Sequence, residues 1–499
     1  MVPADFLLQQ KRLKRLWGNN SDTNINMKKL LFYCGAALIF TAVMLSSCSK
    51  VDQPEPDVKS DLNILNNIYF ALSDNPSLTQ DCAPVKSGDL FYITVTEGAD
   101  IKLLKPRFSV SDKATVKING TSCTSGTTQI NFDQNVNTIE VTSESGRTKS
   151  YKALVQSGKP NIDNIVYTFM NKYTIPGISY AISKNEAVVY KKGLGFAITE
   201  NSVRTTPSHL FRLASCSKQF TTLCIMKLVE QGRITLDQKV FGPGGILSAE
   251  FANASGRAQN VTVRHLLSHT SGWTSDPDPM FTSSFYGQTL EQRINYVLTT
   301  ATQVEPGTTF SYYNMGFGML GKIIEKVTGK DYETYLKEVL ATAGITDIHV
   351  GGDRSQRRTN EVVYYSQDGT NGYGNDMGVI KAAGGVIAST EEMMKMLFHI
   401  DGLPGIPDLI TASTRAEMLT PSPVYNRYGL GWRMNHSYYP GAYYHGGNLA
   451  GTATMWVMGS TGNINCIILC NSRSYISTFD DELYGLMKDV INLASNTTW

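Results

Sequence analysis

The chain has 499 residues, which is long for one ordinary domain and suggests two or three. Hydrophobic residues make up 41% of it, enough for a sizeable core. The formal net charge of +2 gives no reason to expect a nucleic acid or another acidic polymer as a partner. The informative patterns are therefore local.

The first of these patterns predicts export. Residues 27–50 read MKKLLFYCGAALIFTAVMLSSCSK, a basic start followed by an apolar run that is too short for a comfortable membrane span. The small residues before Cys48 resemble the lipobox of bacterial lipoproteins, in which the cysteine is lipidated and becomes the mature N-terminus. We expect residues 1–48 to be an upstream extension and a lipoprotein signal peptide, with translation beginning at Met27 and a membrane anchor at Cys48. The alternative is a retained signal-anchor helix.

The stretch that follows predicts a tether. Residues 49–60 are polar and contain two prolines, as a flexible spacer should. The expected location is the cell envelope, as a lipoprotein of the outer membrane that is either periplasmic or surface-exposed. Of the remaining cysteines, Cys82 and Cys123 form the only plausible disulfide pair within one region, and no Cys/His spacing resembles a zinc site.

Residues 61–158 predict an all-β sandwich. Apolar and polar residues alternate through FYITVT (91–96), Asn119-Gly120 reads as a tight turn, and turn signals recur about every ten residues. The stretch from 108 to 155 also resembles the Ig-like modules of Gram-negative surface and periplasmic lipoproteins. A spacer is the favoured role, and carbohydrate or protein binding is the alternative.

The pattern changes after GKPNI (158–162), which we interpret as a linker. Apolar residues recur at helical spacing from Ile162 to Tyr173, and GISYAIS and AVVYKKGLG then predict paired strands. Helices and strands mix through to Trp499 without an internal repeat. Residues 160–499 are therefore predicted to form one large α/β (α+β) domain.

The motif with most chemical content in this domain is Ser215-x-x-Lys218. The run from Cys216 to Gln231 is compatible with a helix, so Ser215 falls at its N-terminal edge, where free N–H groups favour developing negative charge. Lys218 follows one turn later on the same face. A lysine in a partly desolvated site has a lowered pKa and can accept the hydroxyl proton. Taken alone, a capping serine beside an ordinary surface lysine is the alternative.

The surrounding sequence resembles the serine β-lactamase and penicillin-binding-protein family, in particular its class C β-lactamase, D-aminopeptidase and esterase branch. The stretch SHLFRLASCSKQFTTLC resembles the nucleophile region, and further family motifs follow in order from 263 to 451: VRHLLSHTSGW, EPGTTFSYYNMGFG, AAGGVIAST, YGLGW and HGGNLAG. The resemblance covers about residues 162–495. It implies a β-lactamase/transpeptidase-like fold, an antiparallel sheet flanked by helices.

The resemblance also implies the roles of individual residues. Ser215 is the nucleophile, and Lys218 and Tyr312 transfer its proton. Tyr313 competes with Tyr312, but the family's Tyr-x-Asn pattern requires the asparagine two residues later, which favours Tyr312. Asn314 is expected to hydrogen-bond Lys218 and the substrate, and an N-cap role is compatible with this.

The HGG motif is expected to form the strand beside the substrate. Backbone N–H groups of Ser215 and Asn448 are the implied oxyanion hole, and Gly446 and Gly447 leave room for substrate backbone. His445 stands where β-lactamases carry lysine, and a histidine is only partly charged near neutral pH. Hydrolysis of β-lactams is therefore in doubt, because that lysine suits their carboxylate.

Two further histidines, His265 and His269, are four residues apart, but no acidic third ligand is evident and the family holds them as structural. We expect no metal and no organic cofactor. The resulting prediction is an exported, lipid-anchored serine hydrolase that acts on a small peptide, amide, ester or cell-wall-derived substrate. A true β-lactamase and a non-catalytic binding lipoprotein are the alternatives. Nucleic acid is not an expected partner, and the sequence does not indicate an oligomeric state.

Overall fold

The structure is a computed structural model that describes residues 58–274, 277–460 and 462–499. The predicted signal peptide, the lipidation site at Cys48 and most of the tether lie outside these residues. Within them, no helix has both the length and the apolar character needed to cross a membrane.

The first part of the described chain is built from two β-sheets around one core. A six-stranded sheet has the order β2-β3-β8-β7-β5-β6, and β1 pairs with β4 in a second sheet. Side chains of both sheets share a buried core that includes Leu65, Ile93 and Ile139. The assignment of this module as Ig-like stays a prediction. Its strands are β1 Leu65–Tyr69, β2 Val85–Ser87, β3 Leu90–Thr96, β4 Arg107–Val110, β5 Thr115–Ile118, β6 Thr121–Cys123, β7 Asn137–Thr142 and β8 Thr148–Gly158.

Local chemistry explains the hairpins of this module. Asn119 and Gly120 both have positive φ (50° and 81°) and join β5 to β6 in the two-residue turn that the sequence predicts. The predicted disulfide between Cys82 and Cys123 is absent, since both are free thiols. The two residues belong to different parts of the module. The backbone of Cys82 forms an isolated β-bridge with Phe70, whereas Cys123 pairs with Val116 in the hairpin of β5 and β6.

The module is packed directly onto the rest of the chain, without a linker. Strand β8 ends at Gly158 and the next helix begins at Pro160, so only Lys159 stands between them. Both faces of β3 are buried, because the ring of Tyr92 stacks on Tyr167 of that helix with 4.4 Å between ring centroids. The interpretation of residues 158–162 as a linker is therefore wrong.

The larger part of the chain is organised around a seven-stranded antiparallel sheet of order β11-β10-β9-β19-β18-β17-β16. Two small sheets, β12-β15-β13 and β14-β20, lie outside it. The strands are β9 Gly177–Lys184, β10 Ala187–Ile198, β11 Val203–Arg204, β12 Phe211–Arg212, β13 His349–Val350, β14 Tyr365–Ser366, β15 Val386–Ala388, β16 Arg433–His436, β17 Tyr439–Leu449, β18 Thr452–Ser460, β19 Ile464–Cys470 and β20 Ser472–Arg473.

Helices cover both faces of this sheet. On β19, Ile467 and Leu469 enter one core while Cys466, Ile468 and Cys470 enter the other, so the apolar run NINCIILC is buried on both sides. α1 and α10 cover one face and the remaining helices extend from the other. The helices are α1 Pro160–Lys172, α2 Ser217–Glu230, α3 Val263–Leu267, α4 Leu290–Thr300, α5 Asn314–Thr328, α6 Tyr332–Ala341, α7 Met377–Gly384, α8 Thr390–Phe398, α9 Ala412–Leu419 and α10 Phe479–Ser495.

Candidate active site

The predicted nucleophile lies at the start of α2. Ser215 is in a single 3-10 turn, Ala214–Cys216, that leads directly into the helix. Ala214 has a φ of 47°, a left-handed conformation that is unusual for a residue with a side chain and that turns the chain sharply before the serine. The turn is held from β18, because Thr454 Oγ1 donates a hydrogen bond of 2.8 Å to the carbonyl of Leu213.

Lys218 is fully buried beneath Ser215. Its Nζ lies 3.1 Å from Ser215 Oγ, 2.8 Å from Asn314 Oδ1 and 2.7 Å from the carbonyl of Ala383. Burial lowers the pKa of Lys218 to about 7, because a desolvated ammonium is unstable. A neutral amine has two N–H bonds and one lone pair. The amide oxygen and the carbonyl accept the two N–H groups, so the lone pair is left for the hydroxyl of Ser215.

The two adjacent tyrosines have different surroundings. Tyr313 is buried and its ring packs against Trp273, with 6.4 Å between centroids. Tyr312 lines a cavity together with Ser215, and its ring lies 5.0 Å from Lys218 Nζ. Burial raises the pKa of Tyr312, and the Ser215 hydroxyl acts in the opposite direction. Tyr312 is therefore a neutral phenol at physiological pH, suited to give a proton rather than to accept the first one.

Asn314 begins α5 and connects Lys218 to an acid. Its Nδ2 donates to Asp278 Oδ2 at 2.8 Å, and its backbone N–H donates to the same oxygen at 3.3 Å. With Nδ2 held in this way, Oδ1 faces Lys218. The N-cap of α5 is Tyr313 rather than Asn314, so the predicted N-cap role for the asparagine is wrong.

Strand β17 passes directly over the nucleophile. A Cβ at Gly447 would lie 2.7 Å from the backbone nitrogen of Ser215, which shows how closely the two backbones approach. Asn448 follows and is exposed, with Nδ2 donating to Asp480 Oδ1 at 3.1 Å. Two cavities, of about 290 and 790 Å³, both reach Ser215 and Asn448. A bound acyl compound can thus extend in both directions from the serine.

His445 is buried, and both of its ring nitrogens have partners. Nδ1 donates to the carbonyl of Gly446 at 2.6 Å, so Nε2 is the acceptor for the hydroxyl of Tyr428 at 3.3 Å. That hydroxyl accepts from His269 Nε2 at 3.1 Å, since His269 Nδ1 already accepts the backbone N–H of Tyr313. Burial holds the pKa of His445 well below its usual range. The ring is therefore neutral near pH 7, not partly charged as the sequence suggests.

Comparison with known proteins identifies the family of the chain. The family described as Beta-lactamase matches residues 162–486. The chain belongs to the Beta-lactamase family. Protein flp of Staphylococcus aureus (strain NCTC 8325 / PS 47) is 26% identical over 334 residues, and the match spans 64% of each protein. A putative D-alanyl-D-alanine carboxypeptidase of Escherichia coli (strain K12) is 25% identical over 341 residues, covering 60% of this chain and 77% of that protein.

A solved structure shows the same fold. The octameric penicillin-binding protein homologue from Pyrococcus abyssi superposes with a TM-score of 0.55 at 25% identity, over 68% of this chain and 77% of that chain. The predicted family and its β-lactamase/transpeptidase fold are therefore confirmed, and with them the serine-hydrolase type of scaffold.

Within this Beta-lactamase domain, three further polar groups near the predicted site motifs have structural positions. Ser217 Oγ accepts the backbone N–H of Val386 at 3.0 Å and so faces β15. His265 closes a capping box with Thr262 at the start of α3. Cys216 is fully buried beside the nucleophile, and desolvation raises the pKa of its thiol to about 12. None of these groups is aimed at the cleft.

Two residues of the site are absent from the sequence predictions, Asp278 and Arg433. Arg433 lines the smaller cavity, its guanidinium carbon is 5.3 Å from the centre of the Tyr312 ring, and it forms no ion pair within the described part of the chain. The signals were available but weak. Arg433 directly follows the family motif YGLGW, and Asp278 lies six residues after the glycine of HTSG.

Proposed function

We propose that this chain is an exported, lipid-anchored serine hydrolase that forms an acyl-enzyme on Ser215. The observation that supports this is the fully buried Lys218, whose Nζ lies 2.8 Å from Asn314 Oδ1, 2.7 Å from the carbonyl oxygen of Ala383 and 3.1 Å from Ser215 Oγ. In the neutral amine the first two oxygens accept its N–H groups, and its lone pair is left for the hydroxyl of Ser215. A surface lysine would be charged and could not act as a base near neutral pH. Export and anchoring rest on residues 27–50, and localisation to the cell envelope follows from them.

The proposed reaction begins when Ser215 Oγ attacks an acyl carbonyl and its proton passes to Lys218 Nζ. The new oxyanion accepts hydrogen bonds from the backbone N–H groups of Ser215 and Asn448. The bond to the leaving group then breaks as Tyr312 donates its phenolic proton to the departing nitrogen or oxygen, and Lys218 returns a proton to Tyr312. Water subsequently attacks the ester on Ser215 and passes a proton to neutral Lys218. The bond to Ser215 Oγ then breaks, the proton returns to that oxygen, and the acid is released.

We propose further that the substrate carries a carboxylate on the leaving-group side. The smaller cavity contains the guanidinium of Arg433, and His445 adds no charge there. The one carboxylate among the residues that line it, Asp480, pairs with Arg473 at 3.3 Å. An arginine without a partner carboxylate in a small concave pocket is suited to bind an anion bidentately. The larger cavity, of about 790 Å³, then takes the acyl group.

Acylation by β-lactams is the second candidate, and Arg433 favours it as well. These compounds also carry a carboxylate beside the reactive carbonyl, so the loss of lysine at position 445 does not leave the pocket without a cation. The remaining alternative is a binding lipoprotein that keeps the scaffold without turnover. The named relative from Escherichia coli, a putative D-alanyl-D-alanine carboxypeptidase, supports the peptide substrate.

The decisive experiment treats the protein with a fluorophosphonate and, separately, with a labelled penicillin, and locates the label by mass spectrometry. We expect a labelled Ser215 peptide that is lost in Ser215→Ala. Absence of label on any serine would support the binding lipoprotein instead. Turnover of peptides ending in a D-amino acid, of short esters and of a chromogenic cephalosporin then separates the two enzymatic candidates.

The role of Arg433 is tested with paired substrates. For Arg433→Gln we expect KM to rise about 10- to 100-fold for a peptide with a free terminal carboxylate, as expected for loss of one charge-assisted bidentate contact. The amidated form of the same peptide and a neutral ester provide the controls, since they do not carry the anion. An equal loss on all three substrates would mean that Arg433 supports the site in another way.

A further inference from the structure

One acid beside the active site, Asp278, has no role in the reaction described above. Asp278 lies in the segment between α3 and α4 and is partly buried. It forms no ion pair with a lysine or arginine in the described ranges. Burial raises its pKa, because removal from water disfavours the charged carboxylate. A carboxylate that is withdrawn from water and lacks an ion-pair partner requires compensation from hydrogen bonds or from a nearby charge.

The compensation comes from the elements that carry the active site. Asp278 Oδ2 accepts the side-chain and backbone N–H groups of Asn314, at 2.8 and 3.3 Å, and Oδ1 accepts the backbone N–H of Met280 at 3.0 Å. Asn314 is the first residue of α5, so this carboxylate also lies at the positive end of the helix dipole. The acid therefore fixes the position of Asn314.

Fixing Asn314 determines which of its amide atoms faces the lysine. Because Nδ2 is bound to the carboxylate, Oδ1 accepts from Lys218 Nζ at 2.8 Å. The opposite orientation would place an N–H group against the lysine and would remove an acceptor from it. Asp278, Asn314, Lys218 and Ser215 thus form one continuous chain from a carboxylate to the nucleophile.

We propose that Asp278 is a positioning residue for acylation, which orients Asn314 and stabilises the ammonium that forms on Lys218 as it takes the proton of Ser215. This inference rests on the proposed function. Among the described residues, this carboxylate is the charged group that most favours the ammonium form of Lys218, and Arg433 opposes it. Within the described residues, the other titratable groups near Lys218 are Cys216, His269, Tyr312 and His445.

The sign of the effect is fixed by the charge. A negative group near Lys218 favours its protonated form and so raises its pKa. Loss of the charge lowers that pKa, which moves the acidic limb of the activity profile to lower pH. The same loss makes the lysine a weaker base, so the rate on the plateau falls. A residue with a purely structural role would lower the rate without moving the limb.

The test measures the rate of fluorophosphonate labelling of Ser215 in the full chain between about pH 5 and 9. In Asp278→Asn and Asp278→Ser we expect the acidic limb to move down by about one pH unit and the plateau to fall about threefold to tenfold. Asp278→Glu, which keeps the charge, should keep the limb. Asp237→Asn is the matched control, because it removes an exposed carboxylate that pairs with Arg264 instead.

This role for Asp278 would be overturned if a folded Asp278→Asn or Asp278→Ser variant kept the acidic limb at the wild-type pH. Thermal unfolding checks that each variant is folded. Two neutral variants are included so that a folding failure in one leaves the other to decide. If the wild-type protein is not labelled at any pH, the proposed function itself fails. If it is labelled and the limb does not move, only the inference about Asp278 fails.

Discussion

The close approach of β17 to the nucleophile makes Gly447→Ala an informative substitution. An added Cβ would lie 2.5 Å from Thr454 Oγ1, 2.6 Å from the carbonyl oxygen of Leu213 and 2.7 Å from the nitrogen of Ser215. Non-bonded contacts involving carbon are normally about 3.5 Å, so the strand and the turn must separate by roughly 0.5–1 Å. Two of the three clashing atoms are backbone, which cannot rotate away.

That displacement moves Ser215 relative to strand β17 and so changes the geometry of the active site. A misplacement of about 1 Å costs about 100-fold in rate, so we expect kcat/KM to fall by about that factor. Overpacking should cost about 1–3 kcal/mol of stability. The assay is hydrolysis of an activated ester, with thermal unfolding measured in parallel.

The adjacent glycine provides a matched control for this substitution. At Gly446 an added Cβ would meet Tyr484 Oη at 3.2 Å and the carbonyl oxygen of Thr454 at 3.6 Å, and the hydroxyl can move aside. We expect a loss of about threefold or less for Gly446→Ala. Equal activities for the two alanine variants would refute the argument that backbone approach at Gly447 positions Ser215.

Two further predictions concern the base and the junction between the modules. Acylation should require neutral Lys218, so kcat/KM should fall as pH drops below about 7. A pH profile of Ser215 labelling checks this. If His445→Gln shifts the acidic limb of that profile, the titrating group is the histidine instead. At the junction, Asp163 is fully buried and accepts hydrogen bonds from Tyr180 and Tyr190. Asp163→Ala should therefore lower the free energy of unfolding by about 2–4 kcal/mol, and Asp163→Asn should lower it by less. Urea denaturation measures both changes.

The fold was predictable where one short pattern determines one local structure. Asn119-Gly120 gave its hairpin, and the apolar stretch 464–470 gave a buried strand. The junction between the modules was not predictable in this way. Alternation in residues 91–96 indicated one buried and one exposed face of the strand, but α1 covers the second face. A local pattern does not predict which surface a later helix will cover.

The same distinction applies to the site. Ser215 and Lys218 share one helix turn, so their proximity follows from sequence spacing alone. Tyr312 and Asn314 are about a hundred residues away and were found through motif order. Asp278 had no such motif, and its bond to Asn314 exists only because the fold places it against the start of α5.

The histidine at position 445 shows why one motif, taken alone, gives a wrong prediction of the charge in a cleft. From the sequence, a weaker cation at 445 argues for a pocket that binds carboxylates poorly. In the fold, the ring of His445 is neutral and hydrogen-bonded to Tyr428, and the guanidinium of Arg433 lines the same cavity from the neighbouring strand β16. A cation at 445 would also add to Arg433 in lowering the pKa of Lys218, because both charges disfavour an ammonium nearby. A neutral histidine leaves one permanent cation for the substrate and keeps the lysine basic enough to accept the proton of Ser215.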